Sequence, residues 1–214
     1  ALPSLLALAG NPAQPAVIRS TALTLAQPHL QPDSLPVIQK LLQNVDPALR
    51  VAALESMDPF DPAARVQAAA PLLSDPVLGV RIEAARLLAD VPDAQLPAPA
   101  REARTRALKE YVDSLLIDAD WPSSNVSLGN LYMRQGRADD AVKVYRRAIS
   151  MDPGLVGGWL NLADAYRQSG RDGEGGKVLR DGLKKLPRSA ELHHALGLQL
   201  VREGQSPAAL AELR

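Results

Sequence analysis

Three histidines, His29, His193 and His194, are the side chains best suited to metal or acid–base work in this sequence. A metal site on a helix wants its ligands on one face, as in H-E-x-x-H, and no histidine here is followed by glutamate. The run Gly173-Glu174-Gly175-Gly176-Lys177 has the look of a phosphate loop, but no apolar strand precedes it and the spacing G-x-x-x-x-G-K is missing. There is no dinucleotide fingerprint and no G-x-S-x-G elbow for a nucleophile. Cysteine is absent, which excludes disulfides, zinc–thiolate sites and C-x-x-C-H haem attachment within these residues. Arg19, Arg50 and Arg81, with Asp46 and Asp75, recur evenly enough to form a ligand-binding ladder or, more simply, a row of hydrogen bonds between repeats. The expectation is a chain with no catalytic residue, no metal and no cofactor of its own.

The elements that position these residues are helices. Apolar residues make up 46% of the chain but aromatics only 3%, so the core must be built from Ala, Leu and Val, and Ala and Leu are strong helix formers. No apolar run reaches the ~18 residues of a membrane span. Residues 1–100 hold 6 Lys+Arg and 9 Asp+Glu, residues 101–214 hold 18 and 15, and neither half reads as a nucleic-acid surface.

From residue 122 a 34-residue period dominates. One unit reads Asn125, Leu128, Gly129, Tyr132, Gly136, Ala141, Tyr145, Ala148, Pro153. The next reads Trp159, Leu162, Ala163, Tyr166, Gly170, Gly175, Leu179, Gly182, Pro187, and a third runs from His193 to Leu213. This resembles the tetratricopeptide repeat (TPR), in which small residues let two helices approach and a turn glycine takes positive φ. By this register His193 takes the packing place of Trp159. Ala107 and Tyr111 stand 34 residues before Ala141 and Tyr145, so a connecting helix over 101–117 is expected to cap the array.

Before residue 100 the period is 31, carried by Arg19/Arg50/Arg81 and Ala22/Ala53/Ala84. Asp46-Pro47 followed by Arg50, and Asp75-Pro76 followed by Arg81, resemble the D-P…V-R…A…L signature of HEAT repeats. Fourteen of the 18 prolines lie here and start or stop short helices. The spacing predicts helices near 3–9, 15–27, 34–43, 47–56, 62–73 (kinked at Pro71) and 77–90, then a Pro/Ala-rich linker over 91–100. Further helices follow near 123–135, 139–151, 157–169, 173–185, 190–203 and from 207.

The fold expected is an all-α, right-handed α-solenoid. HEAT-like hairpins over 1–92 lead through a linker and connecting helix, 93–121, to TPR units at 122–155, 156–189 and 190–214, the last read as truncated. The whole order resembles the C-terminal helical extension of some bacterial multihaem c-type cytochromes. That resemblance implies an exported, periplasmic or extracellular protein with its haems upstream of Ala1; without it a cytoplasmic place is expected. The chain is read as a fragment or processed piece.

The function expected is a non-catalytic scaffold that binds a protein or peptide segment in the concave TPR groove. A helical-repeat lyase or hydroxylase is the alternative, disfavoured because no acid, base or nucleophile set emerges and because iron hydroxylases of HEAT type use His-Glu pairs. By register the groove holds Asn130, Met133, Arg134, Leu160, Asp164, Arg167, Gln168, His194, Val201 and Arg202, with Val126 and Leu198 beside them. Arg134, Arg167 and Arg202 make it mildly basic and fitted to acidic partner residues. The Lys-Asn-Asn-Lys-Arg set that grips chaperone C-termini in some TPR proteins is incomplete: Asn130 and Asn161 match, but Val126, Glu191 and Ala195 hold the basic places. Self-association through uncapped ends of the array is a further expectation, and no nucleic acid or membrane partner is expected. Eight of the 14 glycines lie between 154 and 182, and Gly175→Ala and Gly182→Ala are expected to stabilise a soft middle repeat.

Overall fold

Proline and small polar residues set the helix starts along the chain. In the computed structural model, which describes residues 2–213, the chain is all-α and divides into two compact units, residues 1–111 and 112–214. Among the described residues no helix is long and apolar enough to cross a membrane.

The first unit holds α1 (Leu2–Gly10), α2 (Ala16–Ala26), α3 (Leu35–Leu42), α4 (Pro47–Glu55), α5 (Pro62–Ala69), α6 (Leu78–Leu87) and the first part of α7 (Ala98–Ile117). Asp46 and Asp61 cap α4 and α5, each carboxylate accepting a backbone N–H of the first turn, from Ala48 at 2.8 Å and Ala64 at 3.0 Å. Pro71 does break its helix: α5 ends at Ala69 and residues 70–74 tighten into a 3₁₀ turn, because proline supplies no N–H and crowds the preceding turn. The helix expected to reach residue 90 stops at Leu87.

Arginine organises this unit. Arg50 Nη1 donates to the carbonyls of Asn44 (2.7 Å) and Val45 (3.1 Å), and Arg81 Nη1 does the same to Asp75 (2.8 Å) and Pro76 (3.2 Å). At Arg50 and Arg81 the 31-residue period is thus a repeated clamp of Arg on the turn five and six residues before it. Arg50 Nη2 also reaches Asp75 Oδ1 at 2.9 Å, and Arg81 forms a two-pronged bond to Glu110 on α7 (2.9 and 3.0 Å). Arg19 donates to the Ala9 carbonyl at 2.9 Å. The Pro/Ala-rich stretch after Val91 is packed: Val91 and Leu96 are buried in the core, and Arg104 of α7 donates to the carbonyls of Leu88 (2.9 Å) and Val91 (2.5 Å). Ala107, placed by register with the later repeat, is buried in this first core.

The second unit holds α8 (Pro122–Arg134), α9 (Ala138–Met151), α10 (Val156–Gln168), α11 (Asp172–Lys185), α12 (Ala190–Arg202) and α13 (Ser206–Glu212). The first helices of the three pairs end at 134, 168 and 202, 34 residues apart. Each closes on a glycine with positive φ: Gly136 (71°), Gly170 (70°) and Gly204 (75°). The next residue's N–H then bonds the carbonyl five back, as in Arg137 to Tyr132 (2.8 Å), Arg171 to Tyr166 (2.9 Å) and Gln205 to Leu200 (2.8 Å). These are Schellman turns, which need a residue free of the Cβ penalty at that place.

Candidate functional site: the face of α8, α10 and α12

The contact between the two helices of a pair sets how the candidate face is presented. In the first pair Gly129 lies against the Tyr145 ring, where an added Cβ would come within 2.3 Å. In the second pair the sizes trade places: Ala163 stands on α10, and Gly175 on α11 leaves only 3.0 Å between a hypothetical Cβ and the Ala163 carbonyl oxygen. In the third, Gly197 and Leu213 meet as Gly129 and Tyr145 do. Each crossing places a glycine against a bulky side chain or backbone of the facing helix. The stabilising effect expected of Gly175→Ala and Gly182→Ala meets close neighbours: a Cβ on Gly175 would lie 3.0 Å from the Ala163 carbonyl oxygen, and one on Gly182 3.1 Å from the Trp159 ring.

A second repeated contact fixes the start of each first helix. Asn125 Nδ2 donates to the Ala119 carbonyl (2.8 Å), and Trp159 Nε1 to that of Pro153 (3.0 Å). His193 Nε2 lies 3.2 Å from the Pro187 carbonyl. In all three the partner stands six residues earlier. Histidine thus takes tryptophan's place as the register predicts, and it adds a second bond, from Nδ1 to Glu212 Oε2 at 2.6 Å.

Of the candidate residues, Leu160, Asp164, Arg167 and Arg202 come together. With Ala163, Leu179, Ala195, Leu198 and Gln199 they line a cleft of about 160 Å³ between α10 and α12. Its floor is apolar and its rim is charged. Asp164 is committed within the protein: it accepts from Arg167 Nε (2.8 Å) and Nη2 (2.5 Å) and from Gln168 Nε2 (2.6 Å). Arg167 is thus neutralised where it stands, and the rim is less basic than a count of arginines implies. Arg202 Nη2 donates to the neutral Gln199 Oε1 at 3.1 Å and leaves its charge facing solvent.

The other candidates sit apart from that cleft. Asn130 Oδ1 accepts from Tyr145 Oη (2.7 Å) and from Asn161 Nδ2 (3.0 Å), tying the first pair to the second. Burial pushes the Tyr145 phenol well above its usual range, and the Asp164 charge adds to the shift, so this hydroxyl stays a donor. Met133 packs against the core of the first two pairs, and Arg134 ends α8 half-buried. Val201 is exposed on α12 beyond the cleft lining. His194, placed in the groove by register, instead lines a separate cleft with Arg188, His193 and Glu212 beside α13.

Register did not single out Gln199, which is 2% exposed. Its amide donates to the Asp172 carbonyl and to Glu203, both at 2.8 Å, while its oxygen orients Arg202. The signal was present: the equivalent places in the earlier pairs hold the buried apolar residues Leu131 and Ala165. A polar residue at a core position of a repeat marks a local demand.

Residues 132–198 match the family model described as tetratricopeptide repeat. Among solved structures, a crystal structure of MamA is similar at 11% identity over 91% of this chain and 89% of that one, with a TM-score of 0.43. A second MamA structure gives 14% identity over 85% and 89%, with a TM-score of 0.45. A tetratricopeptide repeat protein from Parabacteroides merdae gives 15% identity over 92% and 70%, with a TM-score of 0.48.

Proposed function

We propose that this chain is a non-catalytic interaction scaffold whose face of α8, α10 and α12 binds a segment of a partner protein. The observation that carries the proposal is the cleft between α10 and α12, apolar at Leu160, Leu179 and Leu198 and edged by Arg202. Such a cleft suits one apolar anchor side chain with a carboxylate beside it. The guanidinium fork of Arg202 supplies the charge-assisted bond, and the apolar floor supplies the area. Arg167 joins only if the partner's carboxylate displaces Asp164, so an acidic segment competes with a bond already made.

The test replaces Arg134, Arg167 and Arg202 by Ala together and measures capture of proteins from a native extract, with circular dichroism as the control of fold. The proposal expects capture to fall. Unchanged capture by a folded variant removes the groove and points to the first unit or to the outer helices.

Self-association is a second part of the proposal, favoured by the α1–α2 face. Val17, Ile18 and Leu25 are exposed there, and the one charged residue among the first 32, Arg19, is buried. Sedimentation at rising concentration tests it, with Ile18→Glu and Leu25→Glu expected to keep the chain monomeric. The resemblance to cytochrome extensions, with its HEAT-like first unit, would make the scaffold an assembly arm of an electron-transfer protein. C-x-x-C-H motifs in the natural reading frame upstream would support that reading.

A further inference from the structure

His193 holds two acceptors at once. The repeat register shows that its Nε2 is a donor, because Asn125 and Trp159 donate N–H groups to the matching carbonyls. Its Nδ1 faces a carboxylate oxygen of Glu212, which when ionised accepts only. Both ring nitrogens therefore carry protons in this arrangement, and the ring is an imidazolium. We propose that His193 and Glu212 form a pH-sensitive latch that fastens α13 to α12 when the imidazole is protonated and loosens it when the proton leaves.

The surroundings fit this assignment. The latch closes a cleft lined by Arg188, Ala190, His194, Ala211 and Leu213. Arg188, from the turn before α12, is the cation that lines the same cleft as the pair. On α12 the neighbouring titratable groups are His194 and Glu191, and Glu191 accepts from the Ser189 hydroxyl at 2.9 Å. From α13 the facing group is Glu212 itself. The bond to Glu212, then the Pro187 carbonyl, raise the His193 pKa above its ordinary value.

Deprotonation leaves one N–H for two acceptors. If it stays on Nε2, a lone pair faces the Glu212 carboxylate; if it moves to Nδ1, the Pro187 carbonyl loses its donor. Either way α13, seven residues long, is then held by Ala209 in the core with Leu196 and Leu200, and by Leu213 over Gly197. A helix that short does not persist without tertiary contacts. Because the folded pKa is raised, the latch contributes fully below the unfolded value and is lost as pH rises through the folded one. The proposal stands on this geometry and does not depend on groove binding.

The experiment follows the His193 ring signals by NMR and the protection factors of amides 209–213, corrected for intrinsic exchange, from pH 5 to pH 9. The wild type is expected to titrate above the ordinary value of about 6.5. Protection of α13 should fall over the same range, by up to about tenfold for each pH unit of that displacement. Glu212→Gln should bring the midpoint back down. His193→Trp, which restores the residue of the second repeat and its donor to Pro187, should give protection that does not change with pH. An undisplaced wild-type midpoint, flat protection in the wild type, or pH-dependent protection that survives in His193→Trp would each overturn the latch.

Discussion

The two units hold their repeats together by different means, and arginine shows the difference. In the first unit Arg50, Arg65, Arg81 and Arg104 are turned inward onto carbonyls and carboxylates of neighbouring turns. Arg65, buried, donates to the Leu87 carbonyl and meets both oxygens of Asp90. In the second unit the helix crossings are set by size, with glycines placed against bulky neighbours, and arginines such as Arg167 and Arg202 are left at the surface. A unit ordered by charge has little charge to offer a partner. A unit ordered by small residues leaves its charges at the surface, more of them on α9 and α11 than on the first helices, with Arg202 facing solvent on α12.

The largest effect that would break this comparison is expected at Asp75. Its carboxylate and that of Asp46 each accept a backbone N–H at a turn, but only Asp75 also holds Arg50, in a pair whose side chains are 11% and 6% exposed. Asp75→Ala should cost about 3 kcal/mol or more, since it strands a buried guanidinium. Asp46→Ala should cost about 1 kcal/mol, the worth of a helix cap. Urea unfolding of both variants reads the difference, and equal losses would show that the ladder carries no weight.

Next comes Gly129→Ala, expected to cost about 1–3 kcal/mol because its Cβ would enter the Tyr145 ring. Gly175→Ala and Gly182→Ala should each lose roughly 1 kcal/mol by the same crowding, against the gain that helix propensity alone predicts. The contrast is Gly173→Ala, on the same helix but with nothing within 4 Å of the added methyl, which should gain about 0.5 kcal/mol. Melting temperatures of the four variants test the size rule, and a common sign for all four would refute it. The smallest effect is expected from the groove: Arg134, Arg167 and Arg202 replaced by Ala should shift stability by less than about 0.5 kcal/mol while lowering capture.

Helix positions were legible to within a few residues because proline and glycine act locally. Pro71 ends a helix wherever it falls, and Gly136, Gly170 and Gly204 take their φ from the turn alone. The 34-residue register also placed His193 on Trp159, since a ring N–H at that place answers a carbonyl that every repeat presents. What register could not show was pairing between side chains. Asp164 and Arg167 both belong to the face, yet their mutual bond removes most of the charge that a list of residues implies. The place of His194 beside α13 depends on the third pair's second helix, whose packing no residue of α12 reports. The tolerance of Gly175 was hidden for a similar reason: the atom that crowds an added methyl is the carbonyl oxygen of Ala163, twelve residues away on the facing helix.

We propose that partners meet the second unit on α10 and α12. A photo-crosslinking residue placed at Leu198, on the cleft between them, and in a separate variant at Lys177 on the outer helix α11, tests this in a native extract. A discrete crosslinked partner is expected from Leu198, reduced when Arg202→Glu is added, and none from Lys177. Adducts from Lys177 with none from Leu198 would contradict it.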